Sequence, residues 1–282
     1  MGHQPVVPVQ AAAGLVRYDT RTFLDGPRAV RRQHYRHGRS AITQDVIVEE
    51  GLPYVLVETQ VDWHETWRML RAEHRPTAWS DQVTCQIQYG HLTRSTRDET
   101  PQELAQHEIC AHQRVDLSYA DGGLSLLNDS KYGHRVKDGV ISHTLLRSPV
   151  YPDRTADRGR HTFRYALYPH AGSVTEADTN AVAADLNAPH VLAARAPGEP
   201  SFSVEGDGVV ISAVKVAEDD GSLVIQAYES RGQQTTVRLR TTLPVTTATE
   251  VTLLEDHLAE VDLDALRFGA FELRSIRLTL ER

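Results

Sequence analysis

A chain of 282 residues with 40% hydrophobic and 24% charged side chains has enough apolar mass for one large domain or two ordinary ones. Its formal charge of −8, from 38 acidic and 30 basic residues, repels phosphate backbones and anionic lipid, so neither nucleic-acid nor membrane binding is expected. No run approaches the ~20 consecutive apolar residues of a membrane span, the opening MGHQPVVPVQAAAG lacks the basic-then-apolar order of a secretory signal, and the two cysteines, Cys85 and Cys110, suit a reducing, cytoplasmic setting as unpaired core residues.

Period-two alternation dominates the chain, and helical period is nearly absent. RRQHYRHGR (31–39) sets histidines among arginines, the pattern of an exposed loop or strand face. In YVLVETQVDWHE (54–65), Val55, Val57, Thr59, Val61 and Trp63 fall on one face, which predicts a half-buried antiparallel strand. TCQIQYGHL (84–92), VISHTLLRS (140–148) and TFRYALYPH (162–170) predict further strands of this kind. PQELAQHE (101–108) predicts a turn of helix. Asp121-Gly122-Gly123, Lys137-Asp138-Gly139 and Asp219-Asp220-Gly221 offer the positive-φ position of tight hairpins. TEADTNAVAADLNAP (175–189) predicts a helix opened by Thr175 and Asp178 in a capping-box pattern and closed by Pro189. HVLAARAPGEP (190–200) reads as a boundary. Beyond it lie five or so short strands, VVISAVKVA, SLVIQAYES, TTVRLRTTL, ATEVTLLE and FELRSIRLTLER, and a short helix is predicted over DLDALRF (262–268). The fold expectation is all-β: a large antiparallel sandwich over 1–196 and a small C-terminal β-sandwich over 197–282.

Signals for catalysis are sparse. HEICAH (107–112) puts its two histidines five apart, whereas a helical zinc pair needs four so that both rings share a face. Asp62 and His64 in DWHE share a strand face and read as a surface pair. There is no G-x-S-x-G elbow and no phosphate-cradling glycine loop, since GDGVV and DGGLS read as turns. No complete catalytic set is visible, and no metal ligands are assigned.

The stretch LLNDSKYGHRVKDGVISHTLLRSPVYPDRTADRGRHTFRYALYPH (126–170) joins three polar clusters, Asn128 to Tyr132, Arg147 to Tyr151 and Asp157 to Arg160, by alternating strands. Successive antiparallel strands return to one edge, so such clusters can converge on one rim. Amide, carboxylate, cation and Tyr ring are the groups that grip neutral sugars. A structural loop held by its own Asx-type bonds explains the same composition, and both readings stand on the residues alone.

This stretch, extended through Ala171 and Gly172, closely resembles the C-terminal region of glycoside hydrolase family 38, the α-mannosidases. LVETQVDWHETWRMLRAEHR and VVISAVKVAEDDGSLVIQAYESRG resemble it too, so the likeness runs in order over residues ~20 to 282. It implies a galactose-mutarotase-like super-sandwich followed by a smaller sandwich. It also implies zinc ligands and an aspartate nucleophile in an N-terminal barrel, for which this chain has no counterpart. The expectation is therefore a C-terminal piece, lacking the first strands of its large sandwich, that packs on that barrel and is inactive by itself. Arg147 matches a family position that contributes to the sugar pocket, and Asn128, Asp129, Lys131 and Tyr132 match the adjoining loop. The resemblance implies these as substrate-binding or domain-interface residues, not as catalytic ones. The carboxylate pair of a retaining glycosidase, ~5–5.5 Å apart, belongs to the barrel.

No cofactor is expected in this chain, and the expected partners are the barrel and a mannose-containing glycan. An uncovered sheet edge in 15–60 would also favour homo-oligomers. Two alternatives belong to other classes: a stand-alone carbohydrate-binding module, and a mutarotase-like epimerase. The second needs His91, His143 or His170 to meet a carboxylate in a cleft.

Overall fold

The structure is a computed structural model that describes residues 14–77, 80–119, 121–188 and 200–281. The chain divides into two compact units, Met1–Ile87 with Leu92–Ala188, and Gln88–His91 with Pro189–Arg282. Most of the Pro- and Gly-rich stretch read as a boundary lies outside the described residues, as does Pro189, the predicted helix stop.

Up to residue 187 the chain forms β1 (Val16–Asp25), β2 (Arg28–His37), β3 (Ser40–Glu49), β4 (Val55–Trp63), β5 (Leu70–His74), β6 (Gln82–Ile87) and β7 (Gly90–Ser95). The short helix α1 (Pro101–Ala105), β8 (Ile109–Cys110), β9 (Arg114–Tyr119), β10 (Gly122–Asn128), β11 (Gly133–Lys137), β12 (Val140–Leu146), β13 (Gly159–Ala171) and α2 (Thr179–Asn187) follow. A nine-stranded sheet runs β1-β2-β3-β4-β13-β10-β9-β6-β7, and a four-stranded sheet runs β5-β12-β11-β8. Neighbours pair antiparallel, as in Tyr165↔Val57 and Leu126↔Leu167.

The alternation seen in β4 explains the packing. Val57, Thr59, Val61 and Trp63 are each at most 2% exposed and face the smaller sheet. The core between the sheets joins Val57, Val115, Leu126 and Tyr165 of the large sheet to Ile109, Val136 and Ile141 of the small one. On the opposite face, Leu56, Leu127 and Ala166 bury against Ala183 and Leu186 of α2. That helix covers the one apolar patch on the outer side of β4, and so Leu56 is buried where strict alternation would expose it. β1 ends the large sheet and is almost wholly exposed, with Val16, Tyr18 and Leu24 open to solvent.

Several local expectations need correction. Residues 84–92 are not one strand: the chain reverses at Gln88–Tyr89, with Tyr89 at φ 53°, to make β6 and β7. β12 has no half-exposed face, because all seven of its residues are buried. Gly122 and Gly123 lie within β10 outside the left-handed region, whereas Asp138, Gly139 and Gly221 do take the positive φ expected of them. A Cβ on Gly122 would sit 2.6 Å from the His170 carbonyl oxygen, and one on Gly123 would sit 2.7 Å from the His170 ring. Close approach, not turn geometry, therefore selects those glycines. Helix α2 begins after Asp178, which makes no side-chain cap. The reciprocal bonds lie earlier, Ser173 N–H to Glu176 Oε2 at 2.8 Å and Glu176 N–H to Ser173 Oγ at 3.3 Å.

The later strands are β14 (Phe202–Glu205), β15 (Val209–Val216), β16 (Leu223–Glu229), β17 (Thr235–Thr241), β18 (Val245–Val251), β19 (His257–Glu260), β20 (Leu266–Phe268) and β21 (Leu273–Leu280). A three-stranded sheet, β14-β17-β20, and a five-stranded sheet, β15-β16-β21-β18-β19, enclose a core of Ile225, Val237, Leu239, Phe268, Ile276 and Leu278. The helix expected at 262–268 is instead a turn leading into β20, because Leu266 and Phe268 alternate into this core while pairing with Val237 and Thr235. The chain is thus all-β, built from antiparallel sandwiches. Among the described residues no helix is long and apolar enough to cross a membrane.

Candidate functional site

The polar cluster at the end of β10 is organised by Asn128, which is buried. Its Nδ2 donates to the His112 carbonyl at 2.6 Å, and its Oδ1 accepts from the N–H groups of Ser130 and Lys131 at 3.1 and 2.8 Å. Its own N–H donates to the Gln113 carbonyl at 2.9 Å, and its carbonyl accepts from Asn187 Nδ2 at 3.1 Å. This is the Asx-type loop that composition alone left open. Asn128 fixes the backbone, with its buried side chain turned onto that frame.

The other four predicted residues extend from that frame. Asp129 accepts from Ser130 Oγ at 3.0 Å and faces Arg164 Nε at 3.6 Å. Lys131 holds its ammonium 5.1 Å from the Phe163 ring centroid, and its carbonyl meets His143 Nε2 at 3.0 Å. Tyr132 is 51% exposed and lies 5.0 Å from the His112 ring. Arg147 is exposed, and its guanidinium forms no hydrogen bond or ion pair among the described residues. Its N–H and that of Ser148 both donate to Asp157 Oδ2, at 2.9 and 2.8 Å. Partial burial pushes the Asp157 carboxyl up, but those two bonds and the nearby Lys131 and His161 charges outweigh it and hold the group below the usual aspartate range. The structure therefore brings Lys131, Arg147 and Asp157 into one neighbourhood. Tyr151 and Arg160 are exposed, and neither side chain bonds to these three among the described residues.

Sequence reasoning missed the support beneath this cluster. The indole N–H of Trp63 donates to Ser148 Oγ, and Trp67 N–H donates to the Ser148 carbonyl at 2.9 Å. Alternation places Trp63 on an apolar face, but no local pattern ties it to a serine so far along the chain. The arrangement offers two cations and a phenol ring at a surface, groups that bind oxygen-rich ligands. Asp157 has committed one oxygen to two backbone donors, which anchors the start of the 147–157 loop.

The histidines sort by sheet face. β13 points Tyr165 inward and His170 outward. His143 packs 5.5 Å from Tyr165 and stacks 4.7 Å from His134. His170 instead pairs with Asp116 at 2.7 Å, so His143 and His170 lie on opposite sides of the large sheet and do not share a cleft. His91 falls in the second unit. His112 lies against Tyr132, and Asp62 pairs with His64 at 3.0 Å on a partly exposed face. Among the described residues no three His, Cys, Asp or Glu side chains come together in a way that could hold a metal ion. Both cysteines are free, and burial raises the Cys85 thiol to about 11.

Residues 17–155 match the family described as "Glycosyl hydrolases family 38 C-terminal domain", and residues 208–281 match "Glycosyl hydrolases family 38 C-terminal beta sandwich domain". Alpha-mannosidase 2C1 of Mus musculus is 40% identical over 97% of this chain, and alpha-mannosidase G of Dictyostelium discoideum is 30% identical over 97%. The chain spans only 28% and 27% of those two relatives. The crystal structure of an alpha-mannosidase from Enterococcus faecalis V583 superposes with a TM-score of 0.78 at 17% identity, covering 95% of this chain and 35% of that one, and so shares the fold. Two family matches in chain order, relatives aligned nearly end to end with this sequence, and a common architecture lead to one conclusion: the chain belongs to glycoside hydrolase family 38, as its C-terminal β region.

Proposed function

We propose that this chain is the β region of a zinc-dependent, retaining α-mannosidase that releases terminal α-mannose from glycans in the cytoplasm. In this reading it packs on the catalytic barrel and lends residues to the pocket rim. The observation that carries it is that Asp157 takes the Arg147 and Ser148 N–H groups close to the Lys131 charge, beside a loop frame that Asn128 holds through its backbone bonds. A satisfied frame suits recognition by a second surface, because the loop that carries the cations is already ordered before binding. Asp129 and Tyr132 belong to the same loop as Lys131.

Zinc and the carboxylate pair are assigned to the longer protein's N-terminal region, where the metal would polarise or anchor the sugar. The residues of this chain bind and orient only. Free cysteines, one of them buried, fit a reducing compartment. The test is Arg147→Ala and Lys131→Ala in the complete enzyme, with kcat/KM read on an aryl α-mannoside. Each should fall about tenfold, the equivalent of one lost charged hydrogen bond of ~1–3 kcal/mol. Unchanged kcat/KM in both, with normal melting, refutes the rim role.

A further inference from the structure

We infer that the first unit contains a binding cavity for a neutral polyhydroxylated molecule of sugar size, lying between the large sheet and β5. The cavity measures about 850 Å³ and is lined by Tyr35, Gln44, Thr59, Trp63 and Tyr165 of the large sheet and by Glu73 and His74 of β5. That volume falls in the range of small-molecule sites, ~300–1,000 Å³.

His74 is the observation that points to a ligand. It is only 4% exposed, it lines the cavity, and neither ring nitrogen has a hydrogen-bond partner. A buried imidazole left in that state is costly unless something in the space beside it supplies the bonds. Burial and the neighbouring His143 keep the ring neutral down to about 4, so it presents one donor and one acceptor. Gln44 Nε2 donates to Thr59 Oγ1 at 3.2 Å, which leaves the Gln44 carbonyl and the Thr59 hydroxyl proton for an occupant.

The lining also decides the ligand's class. Most of its charged groups are already engaged: Glu65 accepts from the Arg39 N–H and Ser40 Oγ, each at 3.0 Å, Glu73 accepts from Ser142 Oγ at 3.4 Å, and Arg71 binds Glu108 and Ser142. What remains is amide, hydroxyl and neutral imidazole, each able to both give and take a hydrogen bond, as a sugar hydroxyl does. Tyr35, Trp63 and Tyr165 supply the apolar surface that a sugar ring's C–H face needs. Of the lining guanidinium groups only Arg68 forms no hydrogen bond or ion pair among the described residues, and it is exposed, where solvent screens its pull on an anion. This site is argued from the cavity alone and stands or falls apart from the rim reading, which is tested by turnover.

The experiment titrates D-mannose, D-glucose and D-galactose, with inorganic phosphate as the charged control, into the purified chain. Binding is followed by NMR of the His74 ring signals. At least one sugar should give a saturable shift, and phosphate should give none. Gln44→Leu and Thr59→Val should each weaken that sugar about tenfold or more with little change in melting temperature, whereas Leu254→Ser, on the exposed surface of the second unit, should not. Loss of melting in one cavity variant leaves the other to decide. No saturable shift with any of the three sugars overturns the proposal, as do equal affinities in wild type and both folded variants. A structure of the longer enzyme with polypeptide filling the cavity also overturns it.

Discussion

Asp116 sits fully buried with Oδ2 accepting from Ser125 Oγ at 2.5 Å and His170 Nε2 at 2.7 Å, while Ser118 binds its other oxygen. Burial favours the protonated acid, but the bonds from His170, Ser118 and Ser125 outweigh it and hold the carboxyl below the ordinary value. Burial likewise disfavours the imidazolium, yet the bond and charge of Asp116 raise His170 above its ordinary value. The aspartate's contribution to stability is present above its unfolded value and fades as pH falls through the depressed folded one. The histidine's is complete below ~6.5 and fades as pH rises through the raised folded value. The gap in stability between wild type and His170→Gln should therefore be widest near pH 5–6, about 3 kcal/mol, and should narrow on the alkaline side. Denaturant melts from pH 5 to 9 check this, and a gap that widens with pH refutes it. Little of this arrangement was legible in advance. DGG reads as a turn, and only knowing that His170 crosses above Gly123 reveals why a side chain is excluded there.

At the scale of elements, β5, β11 and β12 each place one buried histidine: His74 and His143 lie against Tyr165, and His134 stacks on His143. Burial depresses all three: His74 and His143 fall to about 4, and His134 lies well below its ordinary value, with the nearby His143 adding to the effect on the other two. The unfolded chain takes up protons near ~6.5 and the folded one does not, so stability should drop as pH falls from ~6.5 to ~4, by up to about 3 kcal/mol per ring. Thermal melts of His134→Leu should show a shallower acid limb; an identical limb would mean that these rings gain protons freely. Strands of this kind expose how far alternation can be trusted. In β4 one face met the core and the pattern found it, down to Thr59 and Trp63. β12 is covered on both sides, so Ser142, His143 and Thr144 sit inside despite polar names. The failed helix at 262–268 has the same origin, since a short apolar pair three residues into a turn serves a strand as readily as a helix.

On the scale of the whole molecule, each unit has its own core, and the family likeness was legible because it rests on a long ordered stretch of side chains. The sequence could not show which polar residues of LLNDSKYG turn inward. Asn128 and Lys131 look alike in a string of letters, but the first is consumed by backbone bonds and the second leaves its ammonium over Phe163. If zinc and the carboxylate pair belong to the longer protein's N-terminal region, as proposed, the purified chain should release no mannose from an aryl α-mannoside, with or without added zinc. Zinc-dependent turnover above a chelated control would show that the chain carries its own catalytic centre. β1, uncovered and last in its sheet, is the natural place to look for contact with further polypeptide.

The bond between His143 Nε2 and the Lys131 carbonyl ties the outer loop to a ring that solvent barely reaches. That tether runs through main chain, so exchanging the lysine for another residue would leave the loop moored. A substitution at 143, deep under the surface, would remove one of the loop's moorings and leave those of Asn128, while every outward-facing letter stayed the same. Variants in the interior can thus mimic lesions at the rim.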